Sequence, residues 1–236
     1  KTYFFISIFS TFFCLYLFEG YLILKVLKIN ENNKKIYGLE YETRSRLEMY
    51  EDLKTQDPNV TVTVSPSVYL KKTEPMDLFP FSGKSKSMTI FCNENGYYSI
   101  YESDKYGFNN PIGEWDNKEF EYLIIGDSFT HGACVNRPYD IASNLRTLTK
   151  KKVLNIGYGG KGPLIEYAAL REYLPRNVKN VIWIYMNGDM DNLTDEIKNN
   201  ILSKYLEDDH FKQNLLKKQN KIDQIVIENI ELENSK

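Results

Sequence analysis

An α/β fold, with a parallel sheet covered by helices on both faces, is the class this sequence predicts. Two observations carry it. Beyond Phe120 apolar strand-like runs alternate with amphipathic helical stretches: Tyr122 to Ile125 leads into a helix near Ser128, Val153 to Ile156 into Leu164 to Tyr173, and Val178 to Tyr185 into Thr194 to Leu206. Repeated βα units imply parallel strands with helices on the faces. The three unusual sequences of the chain all fall at the carboxyl ends of those runs: Gly126-Asp127-Ser128-Phe129-Thr130-His131-Gly132, then Asn155 to Pro163 with its glycines, then Met186-Asn187-Gly188-Asp189. Ligands of such sheets bind outside the carboxyl ends of the strands, so convergence on one rim implies a site.

Length and composition bound the rest. At 236 residues the chain holds one domain with a sizeable core and an appendage. Its 30 Lys+Arg against 32 Asp+Glu lack the basic excess of a phosphate-backbone binder, so no nucleic-acid partner is expected. Cys14, Cys92 and Cys134 lie far apart without CxxC spacing, which argues against a disulfide framework and against zinc. Two histidines in the whole chain argue against a histidine-rich metal site, and no cofactor is expected. The chain opens on Lys1, and Lys221 to Lys236 still reads as a regular pattern, so a fragment at both ends is expected.

In chain order, Tyr3 to Leu24 is almost wholly apolar and long enough to cross a bilayer as a helix before Lys25 and Lys28 end it. No small-x-small cleavage site precedes Lys25, which favours an uncleaved single-pass anchor over residues 1–28. The positive-inside comparison does not orient it from these residues, and an extracytoplasmic side for the following domain is an expectation only. A buried core helix is the competing reading. Ile29 to Asp57 is polar and fits a surface helix or a linker. Val60 to Val64 alternates at period two and is β-branched, a strand closed by Pro66. Met88 to Cys92 and Tyr97 to Tyr101 flank Asn95-Gly96, a hairpin turn pair. A small β-rich region therefore fills 29–118 ahead of the α/β domain of 119–236. Ser103 to Pro111 is a turn-dense loop that could bring Asn109 or Asn110 towards a substrate.

Gly126-Asp127-Ser128 behind an apolar strand places a hydroxyl where a helix begins, and backbone N–H groups there can stabilise an oxyanion; a tight turn with a helix cap is the plainer alternative. With the glycine loop after the second strand and the Asn/Gly/Asp cluster after the third, this stretch of about Phe120 to Leu193 resembles blocks I to III of the SGNH (GDSL) hydrolase superfamily. The region from Cys92 to Pro111 is also similar to the segment preceding the first block in membrane-anchored bacterial SGNH-like proteins. The resemblance implies a three-layer α/β/α, flavodoxin-like sheet and an ester hydrolase or O-acyltransferase. Ser128 is then the nucleophile of an acyl-enzyme mechanism acting on a lipid or surface-glycan ester. The oxyanion hole it implies comprises the Ser128 N–H, the Gly160 N–H (Gly159 or Gly162 if the loop is shifted) and the Asn187 side chain. Block III here reads Asn187-Gly188-Asp189 rather than Gly-x-Asn-Asp, so Asp189 is the alternative occupant, and a carboxylate there would repel an oxyanion.

The family's Asp-x-x-His motif, source of its base, is absent. His131 lies three residues after Ser128 and suits packing or a hydrogen bond at the site rim; Glu207-Asp208-Asp209-His210 has the right spacing in a solvated, charged stretch. Truncation is the simplest account, with the C-terminal part of the domain missing. A second reading is a non-catalytic, membrane-anchored binding domain of the same fold. A third takes Gly157-x-Gly159-x-x-Gly162 as a dinucleotide loop, although a complete βα unit precedes it and Pro163 crowds it. The G-x-S-x-G elbow is absent.

Overall fold

The computed structural model describes residues 2–37, 42–72, 76–94, 96–186 and 188–234. It is mixed α/β and divides into two compact units, residues 1–43 with 93–98, and residues 44–92 with 99–236.

The first unit is dominated by helix α1, Thr2–Tyr37. Its stretch Tyr3–Ile29 is long and apolar enough to cross a membrane, and 0% of its apolar window is buried, unlike a core helix. The helix does not stop at Lys25 or Lys28 as expected. Lysine is a good helix former, and its long stem lets the ammonium reach an interface, so neither residue breaks the hydrogen-bond ladder. In the same unit the Glu42 N–H donates to the Gly96 carbonyl at 2.7 Å, and the Gly96 N–H donates to Asn93 Oδ1 at 2.8 Å. Asn95, the other half of the expected turn pair, lies outside the described residues.

The second unit opens with α2, Arg46–Gln56, set by a capping box: the Glu48 N–H donates to Ser45 Oγ at 3.3 Å, and the Ser45 N–H to the Glu48 carboxylate at 2.7 Å. Next come β1 (Thr61–Val62), α3 (Ser67–Leu70), β2 (Met88–Ile90) and β3 (Ile100–Glu102). β1 runs parallel to β2, with Thr61 opposite Thr89, and β2 antiparallel to β3, with Thr89 opposite Tyr101. The expected hairpin and small β layer are thus present. Val60 to Val64 are all buried, so that run is covered on both faces despite its alternating pattern.

The second sheet is wholly parallel. β4 (Phe120–Gly126) lies between β5 (Val153–Asn155) and β6 (Val178–Ile184), with Leu123 opposite both Leu154 and Val181. Helix α4, Ser128–His131, follows β4 directly. Helix α5, Ile141–Thr149, starts at Asp140, whose carboxylate accepts the Ser143 N–H at 2.9 Å. It packs on one face through a cluster of Ile124, Ala142 and Val153, joined by Leu145 and Ile182. Trp183, one residue on and so on the other face, donates to Glu166 of α6, Pro163–Tyr173. β6 is an edge strand whose Val181 and Trp183 are exposed.

The helix expected over Thr194 to Leu206 is broken into α7 (Leu193–Ile197) and α8 (Asn200–Glu207). Asn199 causes the break: its backbone is extended, and its side chain accepts the Ile201 and Leu202 N–H groups at 3.0 and 3.2 Å, starting a new helix. The chain closes with α9, Gln219–Asn234, which buries Ile222, Val226 and Ile230. Its Asp223 accepts the Ser85 N–H and hydroxyl at 2.8 and 2.7 Å, tying it to the β-rich region.

One expectation about the cysteines is overturned. Cys92 and Cys134 form a disulfide, with Cα atoms 5.0 Å apart across 42 residues of sequence. Sequence distance hid the pairing because the end of β2 and the segment after α4 meet only in the folded chain. Cys14, on α1, is free and exposed.

Candidate functional site

Gly126 ends β4 at φ +155°, in register with Ile184, and an added Cβ would stand 2.5 Å from the Ile184 carbonyl oxygen. Only glycine fits there, and the chain turns at once into α4 with Ser128 as its first residue. Ser128 is half-buried at the carboxyl end of the central strand.

The second loop comes alongside because pairing with β4 outlasts β5. The Ile156 N–H donates to the Ile124 carbonyl at 2.9 Å and the Tyr158 N–H to the Gly126 carbonyl at 3.1 Å. Asp127 then clamps the loop: its Oδ1 accepts the Gly160 N–H and, at 3.2 Å, the Lys161 N–H. Asp127 therefore has a structural role, bridging the β4–α4 turn and the loop after β5. The Gly160 N–H, expected to face an oxyanion, is directed at a carboxylate instead. The Gly159 N–H is also taken, donating to His131 Nδ1 at 3.0 Å.

That bond fixes the state of His131. With Nδ1 accepting, Nε2 carries the proton and donates to Tyr101 Oη at 2.6 Å. The ring is fully buried, stacked on Tyr158 with centroids 4.3 Å apart and tilted against Phe91 at 4.2 Å. Burial, with a smaller contribution from the Lys161 charge, pushes its pKa well below the usual histidine value. Rather than lying at the rim, His131 is a neutral support behind the Gly159 loop. Its backbone carbonyl accepts from Asn109 Nδ2 at 2.9 Å.

The loop before the sheet is likewise scaffold. Asn109 and Asn110 are both buried, so neither reaches towards a substrate. Asn110 donates to the Asn155 carbonyl at 2.7 Å and to Asp104 at 2.8 Å, and it accepts the Asn155 N–H at 2.9 Å. Asn155 in turn donates to the Thr130 carbonyl of α4 at 2.7 Å and accepts the Gly157 N–H at 2.8 Å. Asn155 and Asn110 thus connect β5, α4 and the preceding loop. Sequence reading missed Asn155, although a polar residue inside an apolar run was a signal of a buried hydrogen-bonded partner.

Lys161 is also fully buried. Its Nζ donates to the Ile156 carbonyl at 2.9 Å and lies 5.3 Å from the centre of the Phe108 ring. Burial pushes its pKa down to about 7, against the opposing pull of Glu166 and Asp127. Glu196 of α7 caps α6 from outside, accepting the Gly162 and Leu164 N–H groups at 2.7 and 2.9 Å. A Cβ added at Gly162 would stand 2.7 Å from Cβ of Asn192, so the third loop packs on the second. Asn187 lies outside the described residues. Asp189 begins the 3-10 turn Asp189–Asn192. His210 is exposed, its N–H donating to Asp208 at 2.7 Å, as a solvated stretch should be.

Ser128, Gly159 and Gly160 line a pocket of about 280 Å³, walled by Val64, Val68 and Phe91 and edged by Ser65, Thr63 and Arg46. Such a volume lies below the roughly 300–1,000 Å³ of clefts that enclose a drug-sized ligand, so it admits a small group. Among the described residues no group of three or more His, Cys, Asp or Glu is placed to hold a metal.

Comparison with protein-family models, with curated proteins and with solved structures found no match to this chain.

Proposed function

We propose that this protein is a membrane-anchored, SGNH-like serine esterase or O-acyltransferase acting on short acyl esters of a lipid or surface glycan. The observation that carries the reading is the position of Ser128, at the carboxyl end of the central parallel strand and in the wall of a small pocket shared with Gly159 and Gly160. The strand order, second-first-third, is that of the first three strands of flavodoxin-like sheets, whose ligands sit at this rim. In the proposed reaction Ser128 Oγ attacks the ester carbonyl and loses its proton to a base. The alcohol leaves with a proton, and water or a second hydroxyl takes the acyl group from the serine. The Ser128 N–H, at the start of α4, and the Asn187 side chain are the proposed oxyanion donors, because the two glycine N–H groups are already committed.

A second reading, a binding domain without turnover, is favoured by the histidines. Both ring nitrogens of His131 are engaged and His210 is exposed, so neither is placed as the base. Hydrolysis of 4-nitrophenyl acetate by the full-length protein separates the two. The esterase reading expects turnover that falls to background in Ser128→Ala; turnover that survives the substitution sinks it, and absence of turnover in the wild type selects the binding domain.

The anchor is proposed as single-pass, with the second unit on the extracytoplasmic side. The disulfide supports this, since such bonds persist in oxidising compartments.

A further inference from the structure

Two arginines flank the start of α2, and they are disposed differently. Arg44 pairs with Asp52. Arg46 makes no ion pair among the described residues, is exposed, and lines the Ser128 pocket as its one charged wall residue. Its location opposes the helix dipole, since a cation in the first turn of a helix is unfavourable and an anion favourable. The first-turn acid, Glu48, is occupied by the Ser45 N–H of the capping box. A guanidinium is charged at all working pH values and offers a planar fork matched to carboxylate and phosphate oxygens. Val64, Val68 and Phe91 of the same lining are apolar.

From this arrangement, and resting on the proposal that Ser128 is the nucleophile, we infer that the pocket takes a short acyl ester whose alcohol part carries an anionic group, and that Arg46 selects for that group. The acyl group enters the apolar side, the scissile carbonyl lies at Ser128, and the carboxylate or phosphate is held at the mouth by Arg46. The small volume sets the acyl limit; long chains do not fit.

The test compares 4-acetoxybenzoate with its neutral methyl ester, and with 4-acetoxyphenyl phosphate, in full-length wild type, Arg46→Gln and Arg46→Lys. The ratio of kcat/KM for charged over neutral ester should fall about tenfold in Arg46→Gln, as loss of one charge-assisted contact implies, and be partly restored in Arg46→Lys. The larger ratio of the two charged esters tells carboxylate from phosphate. Raising the salt should shrink the wild-type ratio, because the guanidinium is exposed. A ratio unchanged by Arg46→Gln overturns the inference. A binding arm keeps it separate from catalysis: titration of the non-hydrolysable amide 4-acetamidobenzoate into Ser128→Ala should give binding that weakens about tenfold when Arg46→Gln is added. Arg46-dependent binding without turnover in the wild type would retire the esterase reading and leave this one standing. Charge-blind, Ser128-dependent turnover would do the reverse.

Discussion

At the scale of single residues, two buried bases each make stability depend on pH. His131 is neutral in the native state because its pKa lies well below the ordinary value, while in the unfolded chain it takes up a proton near pH 6.5. Below that pH the unfolded state binds the extra proton, so the stability His131 contributes is present above about pH 6.5 and lost as the pH falls. Urea unfolding of His131→Gln should show an unfolding free energy lower by roughly 1–3 kcal/mol at pH 7.5 for the broken buried hydrogen bonds, and a smaller further loss on going to pH 5.5 than the wild type. An equal loss would mean the ring is not buried as described. Lys161 works in the opposite range. Its pKa is depressed to about 7, so between there and 10.4 the native state has shed a proton the unfolded state keeps, and stability rises with pH. The cost of burying the ammonium is greatest at low pH. Lys161→Met should therefore gain on the wild type as the pH is lowered from 9.5 to 6.5, measured as the difference in unfolding free energy.

At the scale of elements, the site is a set of loops locked to one another. Asp127 joins the β4–α4 turn to the loop after β5, His131 joins α4 to the same loop, and Asn155 holds α4 from beneath. The Cys92–Cys134 disulfide adds a covalent tie between the segment after β2, next to Phe91 of the pocket wall, and the segment after α4. A cross-link across a loop of that size restricts the unfolded chain, with a typical gain of about 2–4 kcal/mol. Replacing both cysteines by serine should lower the unfolding free energy by about that amount, and non-reducing peptide mapping of the native protein should recover the linked peptide. Recovery of two free thiols would remove both the tie and the compartment argument built on it.

At the scale of the whole molecule, what could be read ahead of the structure followed local periodicity and turn chemistry. The parallel strands, the hairpin and the apolar N-terminal helix were all legible because each is written in a contiguous pattern: three apolar runs, Asn95-Gly96 between two strand-like stretches, and Tyr3 to Leu24. What was not legible depended on tertiary meetings. The disulfide joins residues 42 positions apart, Asn199 splits a helix through a side-chain cap, and the N–H groups of Gly159 and Gly160 find acceptors on α4 and the turn before it. The consequence for function is specific. Ser128 stands at the turn from β4 into α4, while the glycine loop expected to help hold an oxyanion is instead held by Asp127 and His131.

The most direct test of Ser128 as a nucleophile is reaction of the full-length protein with an alkyl fluorophosphonate, in which the serine oxygen bonds to phosphorus and fluoride leaves. Peptide mass spectrometry should locate the adduct on Ser128 and find none in Ser128→Ala. An adduct on another hydroxyl, or ester hydrolysis that persists after Ser128 is fully modified, would contradict the account.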